Sequence, residues 1–475
     1  MPPVCFCFNG AVLRNRSLIL PRKLILVFAL VGMAMTLPGQ TAGVSAFIDF
    51  LIDAMQISRV RLSLAYLIGT ICSALLLTPA GKVYDRLGSR VVGSAAAAGL
   101  GLSLIGLTNA PGIAGILTAA GLSATAATLL VMSVGFFLIR FFGQGVLELV
   151  SRTMLLKWFD DKRGLANALF ASVTPMVFSM APIVFNLLIS AQGWQGAWRV
   201  LGLALMPGGA LVALLTFSDP ERSGGSQLPA ISGARPSSVV AAAVPPLLAP
   251  LASIARCLGL RRTSEPPRPL QDRPLAYAVT RLAFWVFLMV NTASAALLTG
   301  LTFHVVGVFA EAGIGRAAAL ALFFPASLVA VVLLSIASII SDYIRLKYFA
   351  VAHALSLTMT LLCIPFLSEG PVAYAMLVFW KGFSMAMFGV NQAVVWPRFF
   401  GLRHLGEIAG FAAACMVAGS ALGPYAFSLA VDISGSFHAV AWIAAPLCAV
   451  IALLGFRADN PNRAPATPDV SQGSR

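Results

Sequence analysis

One feature constrains this chain above all others: apolar runs of about twenty residues or more recur along its 475 positions, separated by short gaps. An α-helix needs about 20 apolar residues to cross a bilayer, and a helix is one of the few elements that satisfies its own backbone there. The runs fall at about 24–50, 60–81, 91–110, 125–152, 164–190 and 195–217, then at about 277–309, 316–340, 347–367, 371–395, 407–431 and 437–456. Six and six predict an all-α membrane protein of twelve transmembrane helices. Composition agrees, because 59% of residues are hydrophobic and only 10% are charged, against about 25% in soluble domains. So few charges cannot coat soluble domains of this size. A coiled coil, a disulfide scaffold and a disordered chain are excluded as well.

The predicted organisation is a cytoplasmic tail over 1–23, a six-helix bundle over 24–217, a cytoplasmic linker over 218–276, a second bundle over 277–456 and a tail over 457–475. The linker is rich in Pro, Ser, Gly and Arg; its apolar stretch at 239–260 is broken by Pro245, Pro246 and Pro250, which reads as a loop or an interfacial segment. The apolar start resembles a signal peptide, but the chain stays apolar afterwards, so the run is taken as span 1.

The net charge of +15 does not mark a nucleic-acid binder, because the basic residues are spread through short loops. With the amino terminus inside, Arg59, Arg61, Arg199 and Arg316 fall at or near the outer side and Arg140 and Lys381 within spans, while all other Lys and Arg lie on the cytoplasmic side. That asymmetry predicts both termini on the cytoplasmic side, and with no organellar presequence the expected location is the cell membrane. Of the seven cysteines, Cys72, Cys363, Cys415 and Cys448 are read as small packing residues within the spans, and Cys5 and Cys7 in the amino-terminal tail as too little for a metal site. No motif calls for a cofactor, and no metal cluster, Walker loop or nucleophile with a histidine partner supports an enzyme.

The two halves repeat. Gly164 and Gly406, Pro182 and Pro424, and Gly193 and Gly435 are each 242 apart, and Lys157-Trp158-Phe159 aligns with Arg398-Phe399-Phe400 at 241. Repeated six-helix units with a site between them are a transporter architecture.

The loop after span 2 reads Gly81-Lys82-Val83-Tyr84-Asp85-Arg86-Leu87-Gly88-Ser89-Arg90. It resembles the signature of the major facilitator superfamily, with Gly81, Asp85, Arg86, Gly88 and Arg90 in place and Ser89 where a basic residue is usual. The resemblance implies that this loop is a latch holding one alternating-access state; Glu148 and Arg152, four apart on span 4, are candidate partners for it, or a helical i,i+4 pair without a gating role. An anchor that merely fixes spans 2 and 3 is the alternative. Pro38-Gly39-Gln40-Thr41 in span 1, Arg140 to Gly145 in span 4, Thr302-Phe303-His304 in span 7 and Asp432 to Ser436 are similar to the monocarboxylate and oxalate/formate antiporter branch. The acidic–glycine–aromatic motif of animal monocarboxylate carriers is absent from span 1.

Arg140 and Lys381 are the leading site candidates. A charge inside a span is costly and normally faces a cavity or a partner. The two lie 241 apart, at the repeat offset, and the resemblance implies that spans 1, 4, 7 and 10 line the cavity. Two cations there suit a small organic anion such as a carboxylate. Local pairing of Arg140 with Glu148 is disfavoured, since eight helical residues separate them by about 12 Å. Gln40, Thr41, Gln144, Asn291 and Asn391 are candidate polar partners of the substrate or interhelical hydrogen bonds. Pro38-Gly39 is expected to unwind span 1 and expose backbone groups. His304 is read as the one histidine inside a span and a candidate for proton coupling; His353, His404 and His438 are placed at ends or loops.

The expected protein is therefore a secondary carrier of a small organic anion, driven by a proton or a counter-substrate and acting as a monomer in the bilayer. An efflux pump for amphipathic or cationic compounds is the runner-up, although no acid sits clearly at mid-span: Asp49 and Glu311 lie near outer ends and Glu148 near the inner one. A non-transporting sensor is the reading from another class.

Overall fold

The computed structural model describes residues 22–159, 163–220, 272–401 and 403–461. The amino-terminal tail, most of the linker with its 239–260 stretch, Cys5, Cys7 and Cys257, and the chain beyond 461 lie outside the described residues. Every regular element among those described is helical, and they make twelve spans. Span 1 is Arg22–Met35, continued in pieces as Leu37–Gly39, Thr41–Ser45 and Ile48–Met55. Arg59–Leu107 holds spans 2 and 3, divided at Gly88. Span 4 runs as Ala124–Ile139, Arg140–Leu147 and Glu148–Trp158. Arg163–Leu203 carries span 5 and the start of span 6, divided at Gly193, and span 6 ends with Ala210–Thr216. In the second half, Leu282–Phe303 is span 7, Arg316–Ala321 with Phe323–Ile340 is span 8, and Lys347–Leu362 is span 9. Pro371–Phe400, Leu405–Ser434 and His438–Gly455 are spans 10 to 12. Large apolar side chains such as Leu75, Val372 and Ile433 stand more than 70% exposed, as lipid-facing residues do.

The repeat is legible in the backbone. Gly193 and Gly435, paired by offset in the sequence, both take positive φ, +71° and +77°, where spans 5 and 6 and spans 11 and 12 meet. A side chain is strained there, so glycine is the fitting residue. Pro182 and Pro424 sit at matching places inside spans 5 and 11.

The linker joins the bundles at fixed anchors. At the basic end of the first half, where the Lys- and Arg-rich loops lie, Asp219 is 5% exposed. Its carboxylate accepts from the Ser89 backbone N–H at 2.7 Å and from the Tyr84 hydroxyl at 3.0 Å. It thus caps span 3, where a negative charge also meets the positive helix end. In the second half Asp459 receives Lys347 Nζ at 2.7 Å. The two aspartates are 240 apart, close to the repeat offset. Asp272 accepts from the Arg403 N–H at 3.0 Å, and the Arg273 N–H donates to the Phe400 carbonyl at 2.9 Å. Both anchors lie inside the expected linker bounds of 218 and 276, so the packed bundles reach past those bounds.

Among the described residues, the hydrogen bonds and ion pairs that join the two halves lie at the opposite, far end or at mid-depth. Asp49 bonds Arg316 at 3.2 Å, Asn186 accepts from Arg316 at 3.0 Å, and Ser327 bonds Ser179 at 3.0 Å. This conformation is closed at its far end.

The Gly81–Arg90 stretch, expected as a loop, is helical except at Gly88, because spans 2 and 3 meet at that one residue, and its two glycines differ. Gly88 has φ +82° and ψ 172°, a region essentially reserved for glycine. Gly81 is helical, and a Cβ there meets only Leu149 at 4.0 Å, so it is not needed for close approach. Gly88→Ala is expected to cost about 1–3 kcal/mol, whereas Gly81→Ala is neutral or slightly stabilising. Thermal unfolding of the two purified variants checks the contrast.

Candidate functional site

Span 1 breaks where the sequence says it should. Pro38 lacks a backbone N–H, and Gln40 is extended (φ −79°, ψ 148°) before the helix resumes at Thr41. Opposite this break, span 4 widens into a π-helical turn over Arg140–Leu147, a distortion that recurs at functional sites. The two irregularities pack together: a Cβ on Gly39 would collide with the Ile139 carbonyl and the Gly143 Cα. Only glycines let the backbones approach this closely.

Arg140 sits in this junction, 3% exposed. Its Nη1 donates to the Gly39 carbonyl at 3.3 Å, a group freed by the break, and to Thr41 Oγ1 at 3.1 Å. The guanidinium lies over the Tyr66 ring at 5.1 Å, a favourable cation–π placement. Tyr66 is fully buried, its hydroxyl is 2.7 Å from Thr41 Oγ1, and its ring is 4.7 Å from Phe303 of span 7. Both described bonds of the guanidinium leave from Nη1, while Nε is buried with no partner among the described residues. One turn further on, Gln144 Oε1 is likewise buried without a partner. Arg140 is therefore anchored on one side and uncommitted along its Nε edge.

Gln40 does not join this edge. Its amide donates to Glu148 Oε2 at 2.9 Å and to Thr36 Oγ1 at 3.1 Å. Glu148, expected as a latch partner, is thereby tied to span 1, and Arg152 stands exposed. Within the signature stretch itself Asp85 and Arg86 are exposed at the basic end, and Arg90 Nε donates to the Phe217 carbonyl at 3.1 Å.

Lys381 is 4% exposed on span 10. Its ammonium lies over the Phe323 ring at 5.2 Å and 3.7 Å from Met385 Sδ. No acid within ion-pair distance is described for it, whereas the Arg140 charge is felt by the Glu148 carboxylate, closer than the helical spacing in the sequence suggested. The amides of the second half face other partners. Asn291 bonds Gln392 at 3.4 Å, and Asn391 bonds His353 Nδ1 at 3.1 Å. His353 is a correction to the sequence reading, since it is fully buried inside span 9 rather than at an end. His304, also fully buried, follows span 7 at the contact between the halves. Sequence reasoning missed Tyr66, which carried no charge or motif to mark it. It also missed Asp219, which its spacing from Asp459 signals.

Twelve spans in two related halves, with buried cations within spans 4 and 10, define a polytopic membrane protein of the transporter class. The family model for the Major Facilitator Superfamily matches residues 24–414, and the chain belongs to that superfamily. Solved structures show the same fold. A D-xylose–proton symporter superposes with TM-score 0.61 at 17% identity, covering 91% of this chain and 97% of its own. A bacterial homologue of the human lysosomal transporter Spinster, inward-facing and occupied, gives 0.63 at 13%, covering 92% and 96%. The inward-open xylose transporter XylE from E. coli gives 0.57 at 14%, with the same coverage. No curated protein matches the sequence.

Gly39→Ala is expected to force the span 1 break and the span 4 turn apart and to cost about 1–3 kcal/mol by overpacking. Its melting temperature, measured beside wild type, checks this.

Proposed function

We propose that this protein is a secondary carrier of a small organic anion, a carboxylate, in the cell membrane. The observation that carries the reading is the buried Arg140 guanidinium, held through Nη1 and uncommitted along Nε. A carboxylate binds an arginine edge with two parallel hydrogen bonds, and such an edge costs little to align because its other side is already fixed. Lys381 adds a second buried positive charge as a point attraction. Gln144 Oε1 offers an acceptor next to the edge. The asymmetry of the basic residues supports both termini in the cytoplasm, with the far end outside, so the described state is closed to the exterior. The Gly81–Arg90 stretch, held to the end of span 6, is read as the device that steadies the basic end in another state. One chain supplies both halves of the site, which supports a monomeric carrier. A proton or an exchanged counter-substrate supplies the drive.

A second reading, efflux of amphipathic cations, has one observation in its favour: Glu148 reaches the span 1 break through Gln40. That carboxylate would be its anchor.

Thermal-shift titration separates the two. A carboxylate is expected to stabilise wild type saturably, and Arg140→Lys, which keeps the charge and loses the fork, to bind about 5- to 150-fold more weakly, as loss of about 1–3 kcal/mol predicts. Stabilisation by cations alone, abolished by Glu148→Gln, would establish the second reading instead.

A further inference from the structure

The far end is closed by a charged cluster that no motif announced. Asp49, after the span 1 break, bonds Arg59 of span 2 at 2.9 Å and Arg316 of span 8 at 3.2 Å. Arg316 comes from the second half and is gripped by the first: its Nε donates to Asn186, its Nη2 to the Ala46 carbonyl, and its guanidinium lies over the Phe50 ring. Within this cluster one carboxylate serves two guanidinium groups, and the balance is already positive.

His304 of the second half sits directly against it. Its Nε2 is 2.8 Å from the Pro424 carbonyl of span 11, and its Nδ1 is 3.5 Å from Arg59 Nη1. The Ser63 hydroxyl lies 3.5 Å from Nε2, and Phe303, Phe427 and Phe437 surround the ring. A carbonyl only accepts and a guanidinium only donates. Nε2 must therefore carry the proton and Nδ1 the lone pair, which makes the ring neutral in the closed state. A second proton, on Nδ1, would point at the Arg59 donor and add a third positive charge around the one carboxylate. The other titratable groups at this corner are Glu311, which accepts from the Phe437 N–H at 2.8 Å, and His438, 3.7 Å from Glu311. Both lie behind the Phe437 turn and neither touches the His304 ring.

We propose that His304 is a proton-binding site whose occupation opens the far end, so that the carrier takes up a proton as it opens on that side. This rests on the proposed reading of the chain as a secondary carrier that alternates between this closed state and one open at the far end, and not on the identity of the substrate. The protonated ring fits only a state in which Arg59 and His304 have separated, so protonation and closure exclude each other. The sign follows. Above the ordinary imidazole range of about 6.5 the ring is neutral in both states and the far end stays shut. As pH falls below that range, the open-to-closed ratio rises by up to about tenfold per pH unit, the limit for one coupled proton.

The test needs no substrate. Spin labels on Ala120→Cys and Ala318→Cys, both exposed at the far end of opposite halves, report its opening in a background without the seven native cysteines. Between pH 8 and pH 5 the wild-type distance distribution is expected to gain a longer population. His304→Gln, which still donates to Pro424 and accepts from Arg59 but does not titrate, is expected to hold the short distance throughout. Arg59→Gln, which removes the facing cation, should flatten the pH response, and His438→Gln should leave it intact. A wild-type distribution that does not move, a shift that survives His304→Gln, or a shift lost in His438→Gln overturns the proposal. Each of these outcomes leaves the anion-carrier reading standing, because that reading is decided by ligand binding at Arg140.

Discussion

A guanidinium at mid-membrane depth must find acceptors or it will not stay there, and much of the first half is arranged around meeting that need at Arg140. The cost of the buried charge is several kcal/mol, and the protein offsets it with backbone. Breaking span 1 at Pro38-Gly39 frees the Gly39 carbonyl from helical duty and turns it toward Nη1. Widening span 4 into a π-turn brings its Gly143 against Gly39. Two local distortions, each unfavourable alone, thus become one junction that holds the charge. Irregular backbone at this depth is tolerated because it is buried in protein rather than facing lipid.

The same junction connects depth to gating. Residues just beyond the break in span 1 carry Asp49, the acid on which both far-end arginines converge. Tyr66, the ring beneath Arg140, contacts Phe303, and Phe303 contacts His304. The central cation and the far-end cluster are therefore linked by a short chain of packed aromatic rings across the boundary between the halves. Loading at the centre and opening at the end have a physical route by which to influence each other.

Much of this was legible in the sequence. Run length and charge asymmetry predict the spans because hydrocarbon thickness imposes them, and the repeat offset predicts Gly193 and Gly435, whose positive φ only the backbone reveals. Pro38-Gly39 foretells the broken span. What the sequence hides is pairing. Gln40 and Thr41 are adjacent, yet one turns to Glu148 and the other to Arg140, since the break points them differently. His353 reads as a loop-end residue because Lys347 and Tyr348 precede it closely, and its burial depends on packing against span 10. Asp219 lies in a Pro- and Ser-rich stretch that looks like linker, and only the positive end of span 3 explains it.

Flux is the direct test of the central claim that Arg140 grips a carboxylate during transport. Purified protein in liposomes would be loaded with unlabelled carboxylate, and uptake of the labelled compound followed for wild type and Arg140→Lys. The account predicts saturable counterflow of at least one carboxylate by wild type and its loss, at equal protein folding and insertion, in the variant. Counterflow that persists unchanged in Arg140→Lys, or transport confined to amphipathic cations, would contradict it.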